Sequence, residues 1–272
     1  MTTYSLGSSD PEIARLDAQA EFLREPTRVL LAESGIAAGM RVLDLGTGLG
    51  HVAAAIADLV GPDGEVVGLD IDSRMLEVAR ARTGDRPNVR FVEGDVTRWR
   101  EGDPFDAVVG RLILFHLPDP VGVLRHHQEA VRSGGRVVMI DYDIGGLRAE
   151  PSEPLTERMA ALLLAAFRVA GADPTIGSRL TAILAASGVE DVGGFAIAEY
   201  LANDDPVGPA MLAGVVRSLA PVMLAHGLAT DAELGLDTLA ARLAAAADAG
   251  RVDLNDLGRR ARRLLASTTA AE

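Results

Sequence analysis

The chain has 272 residues, 48% hydrophobic and 24% charged, with a formal net charge of −13. This is an ordinary globular balance, long enough for one well-buried core, and on average it repels a phosphate backbone or an anionic membrane. There is no cysteine, and every one of the 26 basic residues is arginine, which excludes disulfides, thiolate nucleophiles, Cys-ligated zinc, iron–sulfur clusters, a Schiff-base lysine and the P-loop lysine together.

The opening "MTTYSLGSSDPE" lacks the basic and apolar regions of a secretory leader. The apolar run Met159–Phe167 is far short of the ~20 residues needed to span a bilayer. A cytoplasmic location is therefore expected. Asp10 with Pro11 reads as an N-cap and first helical position, and Ile13, Leu16, Ala20 and Leu23 then recur at helical spacing. Pro26 opens a second helix that ends at Gly35. From Arg41 the pattern alternates. Strands are predicted at Arg41–Leu45, Glu65–Asp70, Val89–Glu93, Phe105–Gly110 and Gly135–Asp141, with helices near Leu49–Leu59, Ser73–Arg82 and Asp119–Arg132 between them. Strands nearly continuous in Val, Ile, Leu and Phe belong to a sheet covered on both faces, so an α/β, doubly wound, mostly parallel sheet is expected.

After Asp141 the rhythm changes. Pro151–Ser187 reads as two helices divided by "GADPTIG", Asp191–Leu201 as a strand, and Ala210–Ala225 and Ala232–Ala247 as Ala-rich helices. "DLNDLGRRARRLLAS" reads as an amphipathic helix whose Arg259–Arg263 run forms a solvated or interface face. The organisation expected is N-terminal cap helices over 1–35, a cofactor-binding α/β core over 36–149, a helical cap insertion over 150–188, and C-terminal strand and helices over 189–272.

"VLDLGTGLG" (Val42–Gly50) is a strand entering a glycine turn at a helix start, where backbone N–H groups and the helix dipole face an approaching ligand. The dinucleotide fingerprint G-x-G-x-x-G would place its third glycine at His51. Instead the glycines are Gly46, Gly48 and Gly50, and Asp44 stands two residues before the first. A carboxylate there repels a pyrophosphate and suits an ammonium or sulfonium group. Asp70 ends the second strand at the distance from the loop suited to ribose hydroxyls, and Asp95 follows the third strand, within reach of an adenine amino group.

These segments resemble the class I S-adenosylmethionine-dependent methyltransferases of small-molecule type, over about Met40 to Asp141. "VLDLGTGLG" is similar to their first motif, "VVGLDIDSRMLEVAR" to their second, "NVRFVEGDVTRW" to their third and "FDAVVGRLILFHLPDP" to their fourth; "AVRSGGRVVMIDYD" is similar to their fifth-strand segment. The resemblance implies S-adenosyl-L-methionine as cofactor. Asp44 with Gly46, Thr47, Gly48 and Gly50 would meet its methionine moiety, Asp70 the ribose, and Asp95, Val96 and Met75 the adenine. It also implies cofactor contacts for Tyr4, Gln19, Ile71 and Arg111. The family's sheet usually ends in an antiparallel hairpin, of which only Asp191–Leu201 can be placed here.

Methyl transfer needs an aligned acceptor at ~3–3.5 Å and, for a hydroxyl or amine, a proton acceptor. His116, in the loop after the fourth strand, is the candidate base, although "FHLPDP" also reads as a structural turn. Asp141, Tyr142 and Asp143 follow the fifth strand and are candidates to orient the acceptor or simply to hold the turn. His51 is expected to face the N-terminal helix. His126 and His127 are adjacent and make a poor metal pair, so no metal is expected and a solvated surface is the reading for both. Met159, Leu163, Phe167, Met211 and Met223 line a pocket or form core.

The function expected is methyl transfer, favouring oxygen, to a small, partly apolar molecule of the secondary-metabolite kind, with no nucleic-acid or membrane partner and with a homodimer left open. Two alternatives stand beside it. One is a relative that binds the cofactor but catalyses a cyclisation or rearrangement. The other is an NAD-dependent oxidoreductase, disfavoured by Asp44 and the glycine spacing.

Overall fold

In the computed structural model the described residues are 8–84, 86–199, 201 and 205–249. The five apolar runs form β1 (Arg41–Leu45), β2 (Glu65–Asp70), β3 (Val89–Glu93), β4 (Phe105–Arg111) and β5 (Val131–Ile140). All pairings are parallel, in the order β3-β2-β1-β4-β5. The chain winds outward from β1 to β3, then crosses back to β4 and β5. This puts the topological switch point between the carboxyl ends of β1 and β4, where an open α/β sheet opens its crevice.

Alternate side chains of each strand enter opposite cores, as a period of two requires. On one face Val42, Val66, Ala107 and Val109 pack with Leu31, Val52, Ile56 and Val60. On the other Leu43, Leu45, Val67, Leu69 and Val108 pack with Leu124, Leu162 and Phe167. Among the described residues the helices are α1 (Asp10–Phe22), α2 (Arg24–Glu33), α3 (His51–Val60), α4 (Ser73–Thr83), α5 (Pro120–Gln128), α6 (Pro154–Val169), α7 (Leu180–Ser187), α8 (Val207–Ala225), α9 (Asp231–Leu234) and α10 (Leu239–Ala249), and the partners just named come from α2, α3, α5 and α6. By length and apolarity α8 could cross a membrane; here its Val216, Leu219 and Met223 are buried, and the helix packs on α6 and α10.

α1 is joined to the rest in two different ways. Buried Glu12 accepts from Ser218 Oγ of α8 at 2.6 Å and pairs with Arg15. On the opposite flank half-exposed Asp17 accepts from Arg82 at 2.6 Å and meets His51 Nε2 at 2.9 Å, and exposed Asp10 pairs with Arg74.

Several boundaries differ from the sequence reading. The cap of α1 is Ser9, which accepts from Glu12 N, rather than Asp10. α2 begins at Arg24, before Pro26, leaving Leu23 as the junction. β5 begins at Val131, four residues early. Its register jumps from Phe105–Val131 to Ala107–Arg136, so the intervening residues, with Gly134 at φ +76°, bulge out of a strand that otherwise starts near Gly135. The segment 191–199 is not a strand; Asp191 has φ +51° and Gly193–Gly194 follow, and the chain runs extended along the cavity wall instead of pairing with β5. Ala232–Ala247 is split into α9 and α10 at Gly235, φ +51°. The predicted C-terminal helix and Tyr4 lie outside the described residues.

Candidate cofactor and active site

A cavity of about 1010 Å³ opens at the switch point. Its walls are the loops after all five strands, roofed by α1 and α2 and closed by α6, α8 and the extended segment near Phe195.

Gly46 and Gly50 have φ of +64° and +78°, conformations that L side chains rarely adopt. A Cβ on Gly46 would lie 2.7 Å from Ile113 Cδ1, and one on Gly50 would lie 3.0 Å from Ala79 Cβ. Gly50 thus lets α3 start close against α4, the packing role of a third glycine, while His51 turns outward to Asp17 on α1 as expected. Gly46, Thr47 and Gly48 face the cavity; Asp44 and Gly50 do not line it. Asp44 is 1% exposed and accepts from Thr47 Oγ1 at 2.6 Å, so it shapes the loop from beneath. Burial pushes its pKa up to about 7, opposed by the Thr47 hydrogen bond and the Arg111 guanidinium.

Asp70 accepts from Gly48 N at 2.8 Å and Asp72 N at 3.0 Å, which ties the end of β2 to the glycine loop; burial raises its pKa. Asp95 accepts from Thr97 N and Oγ1 at 2.9 and 2.7 Å, and these bonds hold its carboxyl below the usual range. Asp70, Ile71, Met75, Asp95 and Val96 all line one end of the cavity, together with Asp72, which sequence reasoning passed over although its position before α4 reads as an N-cap. Arg111 and Gln19 line it too. Arg111 is half-buried, donates to Thr27 Oγ1 at 3.0 Å, and has its pKa lowered by desolvation; Gln19 accepts from Arg15 at 2.8 Å. Beside Arg111, Leu112 takes φ +56°, a strained conformation of the kind concentrated at functional sites.

His116 sits on a 3₁₀ turn, Leu114–His116, with its ring 3.7 Å from that of Phe115. Burial, aided by Arg15, lowers its pKa to about 4, so the imidazole is neutral at physiological pH. Asp141 Oδ2 accepts from Phe115 N at 3.3 Å, which ties the end of β5 to the turn bearing His116. Burial raises Asp141 to about 7 and Tyr142 to about 12, so the phenol keeps its proton. His116, Asp141, Tyr142 and Asp143 all line the cavity. The "GADPTIG" turn braces these loops: Asp173 N donates to Phe115 O, Ile144 N to Pro174 O and Gly177 N to Tyr142 O, each at 2.8 Å. No local signal announced those partners, because each joins residues distant in sequence.

Leu163, Phe167 and Met211 line the cavity with Phe22, Leu30, Leu212 and Val215, whereas Met159 and Met223 are fully buried core. The expected solvated surface at His126 and His127 is corrected: His127 is 2% exposed with Nε2 2.7 Å from Val96 O, and His126 Nε2 lies 2.9 Å from Trp99 O. Helix packing, not polarity, decided the placement of His127.

The acidic crevice at the switch point of a doubly wound parallel sheet defines a Rossmann-like nucleoside-binding domain. Residues 36–172 match the family described as methyltransferase domain, and the chain belongs to that family. Demethylmenaquinone methyltransferase of Staphylococcus aureus is 31% identical over 134 residues, 49% of this chain and 53% of that one; the chain spans about half the length of the curated relatives it matches. Among solved structures, a putative methyltransferase from Bacillus halodurans aligns with TM-score 0.48 and 23% identity, over 60% of this chain and 68% of that one. A methyltransferase from Aquifex aeolicus aligns with TM-score 0.45 and 20% identity, over 66% and 89%. The family and the fold are those of class I methyltransferases and imply S-adenosyl-L-methionine as cofactor, which sets the nicotinamide alternative aside. The residues present fit it: carboxylates at Asp70, Asp72 and Asp95 suit hydroxyl, amino and sulfonium groups, and Gly48, at φ +51°, faces the cavity with only Gly46 O, 4.0 Å away, near where a Cβ would stand.

Proposed function

We propose that this protein transfers the methyl group of S-adenosylmethionine to a small, partly apolar acceptor, with oxygen the favoured atom. The observation that carries this reading is one cavity whose lining brings together a glycine loop and acidic residues from the ends of β1 to β3, His116 and Tyr142 from the loops after β4 and β5, and apolar side chains of α6 and α8. The cofactor supplies an activated sulfonium methyl with a neutral leaving group. Asp70 and Asp72 hold the ribose end, Asp95, Val96 and Met75 the adenine end, and Gly46–Gly48 with Arg111 and Gln19 the methionine end.

His116, kept neutral by burial, is able to take the acceptor's proton at Nδ1 or Nε2. Its depressed pKa makes it a weak base, so it suits an acceptor whose hydroxyl is itself acidic, such as a phenol or enol. Tyr142 keeps its proton and donates it in a hydrogen bond to the acceptor, while Asp141 fixes the turn beneath His116. The name of the demethylmenaquinone relative supports a small apolar acceptor. The same reading includes a cytoplasmic setting and a free small molecule as partner, in keeping with the net charge of −13.

The test is calorimetric binding of S-adenosylmethionine and S-adenosylhomocysteine, followed by an acceptor screen scored by product mass. A gain of one methylene supports transfer; an unchanged mass with consumed acceptor means rearrangement and overturns it. With an acceptor in hand, His116→Gln should slow turnover by ~10²–10⁴-fold without weakening cofactor binding.

A further inference from the structure

Asp95 and Val96 sit in a short loop, Gly94 to Trp99, that is bonded partly to β2, where Gly94 N donates to Asp70 O at 2.8 Å, and partly to itself. Arg98 N and Trp99 N donate to Asp95 O at 3.1 and 2.8 Å, and Thr97 N donates to the Asp95 carboxylate. The loop is folded back tightly enough that a Cβ on Gly94 would lie 2.8 Å from Trp99 Cδ1. Its outward carbonyls at Val96 and Trp99 need donors from elsewhere, since a buried carbonyl left unpaired is costly.

Both donors come from one place, adjacent residues of α5. A carbonyl oxygen only accepts, so the proton of the His127–Val96 contact belongs to His127 Nε2, 2.7 Å away. At His126 the assignment has a second support: Arg100 donates to Nδ1 at 3.1 Å, which leaves the proton on Nε2 to be donated to Trp99 O at 2.9 Å. The two rings stand edge to face, at 89° with centroids 4.9 Å apart. His127 is 2% exposed, lies outside the cavity, and takes no part in the chemistry described above.

We propose that His127 and His126 are positioning residues for the cofactor: a two-point clamp from α5 that fixes the Asp95–Trp99 loop in the shape presenting Asp95 and Val96 to the adenine end. The proposal rests on the reading of that end of the cavity as the adenine site. It separates fixing the loop from touching the ligand. The side chains at positions 95 and 96 recognise, while the backbone carrying them is held by imidazoles on a helix behind it.

The test is calorimetric titration of the full chain with S-adenosylhomocysteine and with adenosine. Wild type is run beside His127→Gln, whose amide nitrogen can occupy the place of Nε2, and His127→Asn, whose shorter amide cannot reach Val96 O. Leu124→Ala serves as a control for lost packing on the same helix. His127→Asn should weaken both ligands roughly tenfold, and His127→Gln should stay within about twofold of wild type. His126→Leu should give a smaller loss in the same direction. Equal affinities in the Asn and Gln variants, or an equal loss in Leu124→Ala, would overturn the clamp. If wild type itself bound neither ligand, the cofactor reading would be at fault, which is a distinguishable result. Should His127→Asn not fold, His126→Leu against wild type decides, and unchanged affinity there overturns the proposal.

Discussion

Asp70 has one lone pair of each carboxylate oxygen engaged, by Gly48 N and Asp72 N, and lines the cavity with the rest of the group. Asp70→Asn keeps the size but turns one acceptor into a donor facing those N–H groups. S-adenosylhomocysteine binding should weaken by roughly tenfold to a hundredfold, measured calorimetrically. Asp141 makes a different prediction. Burial raises its folded-state pKa to about 7, above the ~3.9 of an unfolded aspartate. Below pH ~4 both states hold the proton; as pH rises toward ~7 only the unfolded chain releases it, so stability falls across that window by up to ~4 kcal/mol and then levels. Asp141→Asn has no such proton to lose. Urea unfolding at a series of pH values should show the difference moving in the variant's favour between pH ~4 and ~7; a constant difference would mean that the folded carboxyl ionises freely. Asp44 carries the same signature and cancels in the comparison. At this scale the sequence told which carboxylates cluster but not their depth. Asp44 and Asp70 look alike in a motif, yet one is sealed under Thr47 and the other lines the cavity.

Among the elements, the brace formed by "GADPTIG" is the sharpest dependence on a single residue. A Cβ on Gly177 would lie 2.5 Å from the Tyr142 carbonyl carbon, which is backbone and cannot swing aside. Gly177→Ala should therefore displace the Tyr142 loop, cost ~1–3 kcal/mol by denaturant unfolding, and raise the acceptor KM while leaving S-adenosylhomocysteine affinity within about twofold. The strands β1 to β4 were legible because doubly covered strands read as unbroken apolar runs bounded by turn residues. The segment 191–199 misled for a physical reason: "FAIAEY" alternates with period two, but alternation reports one-sided burial and carries no information about a partner strand. Phe195 is 56% exposed and Ile197 41%, and both lie at the cavity wall with Ala196 between them, so the alternation here marks neither a buried face nor a ladder. The break between α9 and α10 was hidden because the helix-favouring DAEL before Gly235 and the alanine-rich stretch after it outweighed that one glycine.

Taken as a whole, the molecule keeps its recognisable sequence in one part of the cavity lining. The residues proposed for the cofactor come mainly from consecutive strand ends, so their spacing survives in the linear chain; the rest of the lining is drawn from α1, α2, α6, α8 and the segment near Phe195, whose meeting depends on packing alone. The unequal fastening of α1 then acquires a kinetic meaning. Toward α8 it is held by a buried Glu12–Ser218 contact, and toward α3 and α4 by partly exposed ion pairs through Asp17 and Asp10. Dissolved salt weakens only the second set, as the screening length shrinks from ~30 Å at 0.01 M to ~3 Å at 1 M. The helix should thus behave as a door over the cavity, with a salt-indifferent jamb and a salt-sensitive latch. The departure rate of S-adenosylhomocysteine, followed by rapid mixing with a competing ligand, should climb with ionic strength, and Asp17→Asn should flatten that climb. If departure of the spent cofactor limits turnover, the enzyme would run faster in moderately salty solution than in dilute buffer.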